Sequence, residues 1–153
     1  MEYMDRISDG ITFIDNILRK LGRSPIFENN DVIIEEINAE NYLRLRFDKR
    51  DERFLYFLMD IQLNGIEIHL SRIPEAFWFP NEKIKLNEDK VENFLIMLLT
   101  SEIKMENYEP NYTKAYFYDE NGSCVHIIKR ITGFYLKMKK NQEIIHYAPF
   151  YRD

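Results

Sequence analysis

The chain has few of the residues that interrupt or cross-link a fold, since its 153 residues include one cysteine, five glycines and five prolines. A single cysteine excludes an internal disulfide framework and a zinc site made of several cysteines, and it fits a reducing compartment. Hydrophobic residues at 45% and aromatic residues at 14% exclude a disordered or low-complexity chain. We therefore expect residues 1–153 to form a single domain with a sizeable core.

Long apolar runs are also missing. The longest, residues 94–99, has six residues, whereas a membrane-spanning helix needs about 20. The N-terminus lacks a basic region followed by an apolar stretch, so we expect no export signal. A cytoplasmic protein that does not contact a membrane is the expectation.

Local motifs that impose a particular chemistry are missing as well. The sequence has no glycine-rich phosphate loop, no Gly-x-Ser-x-Gly, no His-Glu-x-x-His and no Cys-x-x-Cys. Catalytic residues can also converge only in the fold, so these absences do not exclude an enzyme. We expect no catalytic residue, no cofactor and no metal ion.

Apolar residues near the N-terminus recur at the spacing of one helical face, and Gly22 follows them as a stop signal. These residues are Ile7, Ile11, Ile14, Leu18 and Leu21. The pattern predicts an amphipathic helix with one side on the core. A second helix is predicted after Asn87, which has the residue type of an N-cap, and it continues along an apolar face to Leu99.

The rest of the chain alternates between polar turns and runs rich in β-branched and aromatic residues. The predicted strands are residues 32–37, 42–47, 54–63, 66–73, 113–118, 124–131, 133–138 and 143–148. This order predicts an α+β domain, with a curved, mainly antiparallel sheet of about seven to eight strands and two main helices packed on one face. Helices do not alternate with strands, which disfavours a doubly wound parallel fold.

Residues 53–73 predict a hairpin around Asn64-Gly65 whose two strands have different surroundings. The first strand is apolar on both faces and is expected in the sheet interior. The second alternates between apolar residues and a polar face, which indicates a half-exposed strand. The outward positions of this second strand are Glu67, His69 and Ser71.

Two aromatic groups are candidates for contact with a partner. Phe77, Trp78 and Phe79 follow Pro74 without a periodic pattern, so we predict a loop-like segment. Its aromatics either cover the core, which is the preferred interpretation, or anchor an interface. Tyr116 and Tyr118 share one face of a predicted strand, and that face is outward or partly covered if the residues between and before them are buried.

Two small clusters raise the question of chemistry. Cys124 and His126 point to one strand face as a nucleophile and a base, although a buried cysteine beside a structural histidine is the preferred interpretation. Glu67 and His69, with Asp60 on the preceding strand, resemble the start of a metal site or a general-base pair. A solvated strand face is preferred there.

The net charge of −5 at pH 7 disfavours nonspecific nucleic-acid binding and favours a basic partner. The distribution is uneven, because residues 114–153 hold seven Lys and Arg against four Asp and Glu. Base stacking on Tyr116 and Tyr118 would need basic neighbours along a track. Only Lys114 shares their strand face, while Asp119 and Glu120 follow, so nucleic acid is an unlikely partner.

The chain has an acidic, aromatic-rich composition and two notable segments, DIQLNGIEIHLSRIPEAFWF (residues 60–79) and NYTKAYFYDENG (residues 111–122). In these features it resembles bacterial immunity proteins. These proteins accompany polymorphic or contact-dependent growth-inhibition toxins. The resemblance implies binding and neutralisation of a cognate toxin domain in the cytoplasm. Independently of the resemblance, an acidic surface would be attracted to a basic active-site cleft on such a toxin. The expected partner-binding residues are Glu67, His69, Trp78, Tyr116, Tyr118 and Glu120.

Two other functions are compatible with the sequence. The main alternative is a small-ligand-binding protein or an enzyme that uses a pocket in the curved sheet. The residues expected to line that pocket are Asp60, Glu67, His69, Cys124 and His126. The other is a scaffold subunit of a larger complex, and the sequence leaves the oligomeric state open.

Overall fold

The computed structural model describes residues 2–37, 41–73, 76–108, 112–131 and 142–152. The helices are α1 (Glu2–Lys20), α2 (Asn81–Leu86) and α3 (Glu88–Thr100), with a 3-10 turn at Ile26–Glu28. The strands are β1 (Val32–Ile37), β2 (Tyr42–Phe47), β3 (Phe57–Gln62), β4 (Gly65–Leu70), β5 (Ala76–Pro80), β6 (Glu102–Tyr108), β7 (Tyr112–Tyr118), β8 (Cys124–Ile131) and β9 (Gln142–Tyr147).

Helix α1 forms as its apolar spacing predicts. Ile7, Ile14 and Leu18 are buried on the core side. The helix ends where Gly22 takes a left-handed conformation with φ +70°, which lets the N–H of Arg23 donate to the carbonyl of Leu18 at 2.9 Å. Glycine adopts this conformation without a Cβ penalty, so the stop predicted at this position is confirmed.

The first sheet joins β1 to β5 in sequence order, and every neighbouring pair is antiparallel. One face is apolar, with Leu45, Met59 and Ile68 paired across the central strands and fully buried. Helix α1 packs on β3 and helix α2 packs on β4 and β5, so these helices cover that face. Gly10 allows the close approach of α1, because a Cβ there would lie 2.5 Å from Cγ2 of Ile61.

The hairpin between β3 and β4 turns at Leu63 and Asn64, one position earlier than the sequence predicts. Gly65 is the first residue of β4 and pairs with Gln62 on one side and Pro80 on the other. A Cβ on Gly65 would lie 2.3 Å from the backbone oxygen of Phe79. Glycine is therefore required here by the close approach of β5, and not by the turn.

The segment containing Phe77, Trp78 and Phe79 is strand β5, so the prediction of a loop is wrong. Its side chains alternate as in any strand. The rings of Phe77 and Phe79 lie 5.6 and 5.5 Å from the ring of Phe94 in α3. Trp78 points to the opposite face and is 43% exposed, so the preferred interpretation of a plug over the core holds for the two phenylalanines only.

The second sheet has the strand order β8-β7-β6-β9, and its strand pairs are antiparallel. Its inner face carries Ile103, Met105, Ala115 and Phe117, all buried in the same hydrophobic cluster as the first sheet. Helix α3 contacts both sheets, since the ring of Phe94 also lies 5.9 Å from that of His126 in β8.

The predicted class, α+β with antiparallel strands and helices on one face, is confirmed. The described strands divide between sheets of five and four strands instead of forming one curved sheet. Helix α2 and strand β6 were not predicted, and the strand predicted at residues 133–138 lies outside the described residues. Within the described ranges, no helix is both long and apolar enough to cross a membrane.

Candidate functional site

A row of polar and aromatic side chains crosses the outer face of the first sheet. Strand register places Glu35, Arg44, Asp60, Glu67 and Trp78 opposite one another, one from each strand from β1 to β5. We call these five residues the charged row. Alternation along the central strands sends Arg44, Asp60 and Glu67 away from the helices, because their chain neighbours are buried in the core.

Asp60 is the buried centre of the charged row. Its side chain is 3% exposed, and Arg44 holds it with two hydrogen bonds, from Nε to Oδ1 at 2.8 Å and from Nη2 to Oδ2 at 2.9 Å. The hydrogen bonds to Asp60 raise the pKa of Arg44, although partial burial opposes this. The preferred interpretation of a solvated strand face therefore does not hold for Asp60.

His69 is the next residue of β4 after Glu67 that faces outward, and it lies close to both Asp60 and Glu67. Its Nε2 atom lies 3.6 Å from Oδ2 of Asp60 and 3.6 Å from Oε1 of Glu67. The other oxygen of Glu67, Oε2, accepts a hydrogen bond from Nε2 of Gln62 at 3.0 Å. One ligand atom from each of Asp60, Glu67 and His69 lies within 4.8 Å of the other two, so these residues could hold a metal ion.

Trp78 ends the charged row on β5, directly opposite Glu67. Its ring extends over the backbone of β4, because a Cβ on Gly65 would lie 2.9 Å from Cη2 of Trp78. The indole thus has one face against the sheet while 43% of the residue stays exposed. A large aromatic side chain that is held in place but exposed is typical of a protein-binding surface.

A second outward surface lies on the four-stranded sheet. The ring of Tyr116 is contacted by two lysine amines, with Nζ of Lys104 at 5.2 Å and Nζ of Lys114 at 4.7 Å from the ring centroid. The rings of Tyr116 and Tyr118 stack at 6.4 Å with an angle of 22°. Ala115 and Phe117 are buried, so the prediction that the two tyrosines face outward is confirmed.

Glu106 is a buried acid on this same surface that sequence reasoning missed. It is 7% exposed and accepts hydrogen bonds from Tyr108 Oη at 2.5 Å and Lys104 Nζ at 3.2 Å. Burial tends to raise the pKa of Glu106, but these hydrogen bonds outweigh it and lower the pKa overall. The bond to Glu106 raises the pKa of Tyr108 to about 12. The sequence did carry a signal for Glu106, because Glu106 and Tyr108 alternate along β6 with the buried Met105 and so share the outward face.

Exposed aliphatic side chains border this second surface. Ile127 in β8 is 45% exposed and Ile144 in β9 is 49% exposed. Register places Ile127 beside Tyr116, and Ile144 beside Glu106. We call Tyr116, Tyr118, Ile127 and Ile144 the tyrosine face. Glu120 lies next to it in the turn after β7 and is exposed.

Cys124 and His126 are not arranged as a nucleophile and its base. The thiol sulfur lies 3.5 Å from the backbone oxygen of His126, and the imidazole packs against Phe94 and Phe117. Cys124 is exposed, so the preferred interpretation of a buried cysteine is also wrong. A β-bulge between Phe117 and Tyr118 shifts the register next to this pair.

The six residues predicted to bind a partner therefore form two groups. Glu67, His69 and Trp78 lie together on the outer face of the first sheet. The other three are Tyr116, Tyr118 and Glu120, at the end of β7 in the second sheet and in the turn that follows. No protein-family model, curated protein or solved structure matches the chain.

Proposed function

We propose that this protein is an immunity-type inhibitor, which binds a cognate bacterial toxin domain in the cytoplasm and blocks its active site or an adjacent surface. The observation that carries the proposal is Trp78, the chain's single tryptophan, exposed beside Glu67 on an outward sheet face. Tryptophan, with tyrosine and arginine, is enriched among the residues whose truncation costs the most binding energy at protein interfaces.

The charges around Trp78 support a basic partner. The charged row contains three carboxylates, those of Glu35, Asp60 and Glu67, against the single guanidinium of Arg44. Asp60 is buried beside Arg44, so Glu35 and Glu67 are the acids of the charged row that a partner protein could reach. An acidic surface would steer association with a basic active-site cleft and increase the rate of encounter.

The tyrosine face offers a second contact region with a different character. Tyrosine combines a large contact area with a polar end, and exposed isoleucines add apolar area that a partner would remove from water. Two lysines contact the ring of Tyr116, and one of them, Lys104, is also paired with the carboxylate of Glu106. A partner that reaches this region would present apolar groups to the tyrosines and isoleucines.

The alternative, a small-ligand-binding protein or an enzyme, has weaker support. An open groove of about 610 Å³ is lined by residues such as Lys20, Arg23, Glu120 and Val125. Asp60, Glu67, His69, Cys124 and His126, which were expected to line a catalytic pocket, are not among its lining residues. Binding through exposed sheet faces accounts for more of the observed geometry.

Co-expression tests the proposal. The probe is the product of the gene immediately upstream in the native genome, expressed in a bacterial host with and without this protein. We expect growth arrest from the upstream product alone, rescue by this protein, and a stoichiometric complex on purification. An upstream product that is harmless, or that arrests growth equally in both cases, would contradict the proposal.

A further inference from the structure

The cluster of Asp60, Glu67 and His69 combines the donor atoms of a metal site, one imidazole nitrogen and two carboxylate oxygens. Zinc bonds to such atoms at about 2.0–2.2 Å, so tetrahedral ligands lie about 3.4 Å apart. Nε2 of His69 lies 3.6 Å from Oδ2 of Asp60 and 3.6 Å from Oε1 of Glu67. Each separation between His69 and a carboxylate is therefore within a few tenths of an ångström of the tetrahedral value, and the ligand atoms of Asp60 and Glu67 lie within 4.8 Å of each other.

Neighbouring side chains already orient both carboxylates. Arg44 fixes the plane of Asp60 from one side, and Gln62 holds Oε2 of Glu67, which leaves Oε1 directed toward His69. Outer partners of this kind orient ligands in metal sites and are needed for full affinity. The residues stand on paired neighbouring strands, which are more rigid supports than loops.

Charge and access also fit a cation. Two carboxylates share the site with one guanidinium, so the cluster keeps a net negative charge when His69 is neutral. The side chains of His69 and Glu67 are 38% and 31% exposed, which leaves an open path from solvent. The buried Asp60 forms the floor of the site.

We propose that Asp60, Glu67 and His69 bind a divalent transition-metal ion such as Zn²⁺. The imidazole ligand favours zinc, nickel or copper over calcium and magnesium, which take oxygen ligands. Three protein ligands leave at least one position for water or for a group of a binding partner. Metal binding is a property of the isolated chain, so it goes beyond the proposed inhibition and can fail or succeed independently of it.

The fluorescence of Trp78 can report metal binding, because Trp78 is the single tryptophan and lies directly opposite Glu67. Directly opposite residues on paired strands have Cβ atoms about 5 Å apart. We expect paramagnetic Co²⁺ to quench the Trp78 fluorescence with saturation at one ion per chain, and Zn²⁺ to displace it. Binding should weaken on acidification, because only a neutral imidazole ligates metal.

Two variants, His69→Ala and Glu67→Gln, should each weaken Co²⁺ and Zn²⁺ binding by at least about tenfold while the protein stays folded. The matched control is His146→Ala, which removes an exposed histidine from the other sheet. It should leave affinity and quenching unchanged. The proposal is overturned if wild-type protein shows no saturable binding below about 100 µM ion, or if His69→Ala binds as tightly as wild type.

Discussion

Arg44 and Asp60 form a two-point ion pair across neighbouring strands, and this pair keeps a carboxylate with 3% side-chain exposure in the middle of an outward sheet face. A buried charge is tolerated when its partner supplies good geometry, and Arg44 donates to both oxygens of Asp60. The pair thus fixes the position of the Asp60 side chain. Glu67 and His69 lie beside Asp60, and Trp78 lies opposite Glu67 on the next strand.

Removing one partner of this pair should be more damaging than removing both. Arg44→Met leaves Asp60 buried and uncompensated, and we expect the free energy of unfolding to fall by about 3 kcal/mol. The double variant Arg44→Met/Asp60→Leu removes both charges and should recover at least half of that loss. Urea denaturation followed by circular dichroism measures all three proteins. A double variant less stable than Arg44→Met would contradict this account of the pair.

Gly65→Ala tests the close approach of β4 and β5. The added methyl group would meet the backbone oxygen of Phe79 at 2.3 Å and the ring of Trp78 at 2.9 Å. We expect a loss of about 1–3 kcal/mol in stability, together with a change in Trp78 fluorescence. The control is Gly122→Ala, where a Cβ would meet no atom within 4 Å and only the positive φ of +78° opposes the change. It should lower stability without altering the fluorescence of Trp78.

Glu106 should make stability depend on pH in the acidic range. Its folded-state pKa lies below the ordinary value of 4.5, so its ionised form stabilises the fold above that pH. This contribution is lost as the pH falls through the lower, folded-state pKa. Glu106→Gln should therefore cost about 1 kcal/mol at pH 7, and the difference from wild type should shrink below pH 4.5.

Denaturant unfolding of wild type and Glu106→Gln at several pH values checks this dependence. Glu82→Gln serves as the control, because Glu82 is exposed on the short helix α2, and it should change stability little at any pH. If the stability difference between wild type and Glu106→Gln were constant from pH 7 to pH 4, the hydrogen bonds from Tyr108 and Lys104 would not be stabilising the ionised carboxylate.

Local patterns predicted the elements whose two faces differ most clearly. Strand β2 alternates between buried leucines and outward arginines, and helix α1 follows one apolar face, so both were found from the sequence. Strand β5 was missed because both of its faces carry aromatic rings, so Phe77 and Trp78 look alike in the sequence. Their different surroundings arise from α3, which packs on one face only.

The candidate site was predicted in part. The shared face of Glu67 and His69 follows from strand alternation. The burial of Asp60 does not, because it depends on Arg44 in a different strand and on the register between β2 and β3. Glu106 was missed for a related reason. Its strand, β6, is mostly polar, and its position in the sheet depends on pairing with β7 on one side and β9 on the other.

Isothermal titration of this protein with the product of the gene immediately upstream tests the central claim most directly. We expect a 1:1 complex, and a loss of at least about 30-fold in affinity for Trp78→Ala. The control Phe27→Ala, which removes an aromatic residue that is 66% exposed outside both sheet faces, should bind as wild type does.

Simultaneous alanine substitution of the six predicted contact residues is the decisive variant in this titration. These residues are Glu67, His69, Trp78, Tyr116, Tyr118 and Glu120. Binding through these surfaces predicts that the folded six-residue variant has no measurable affinity for the upstream product. An affinity equal to that of wild type would contradict the account.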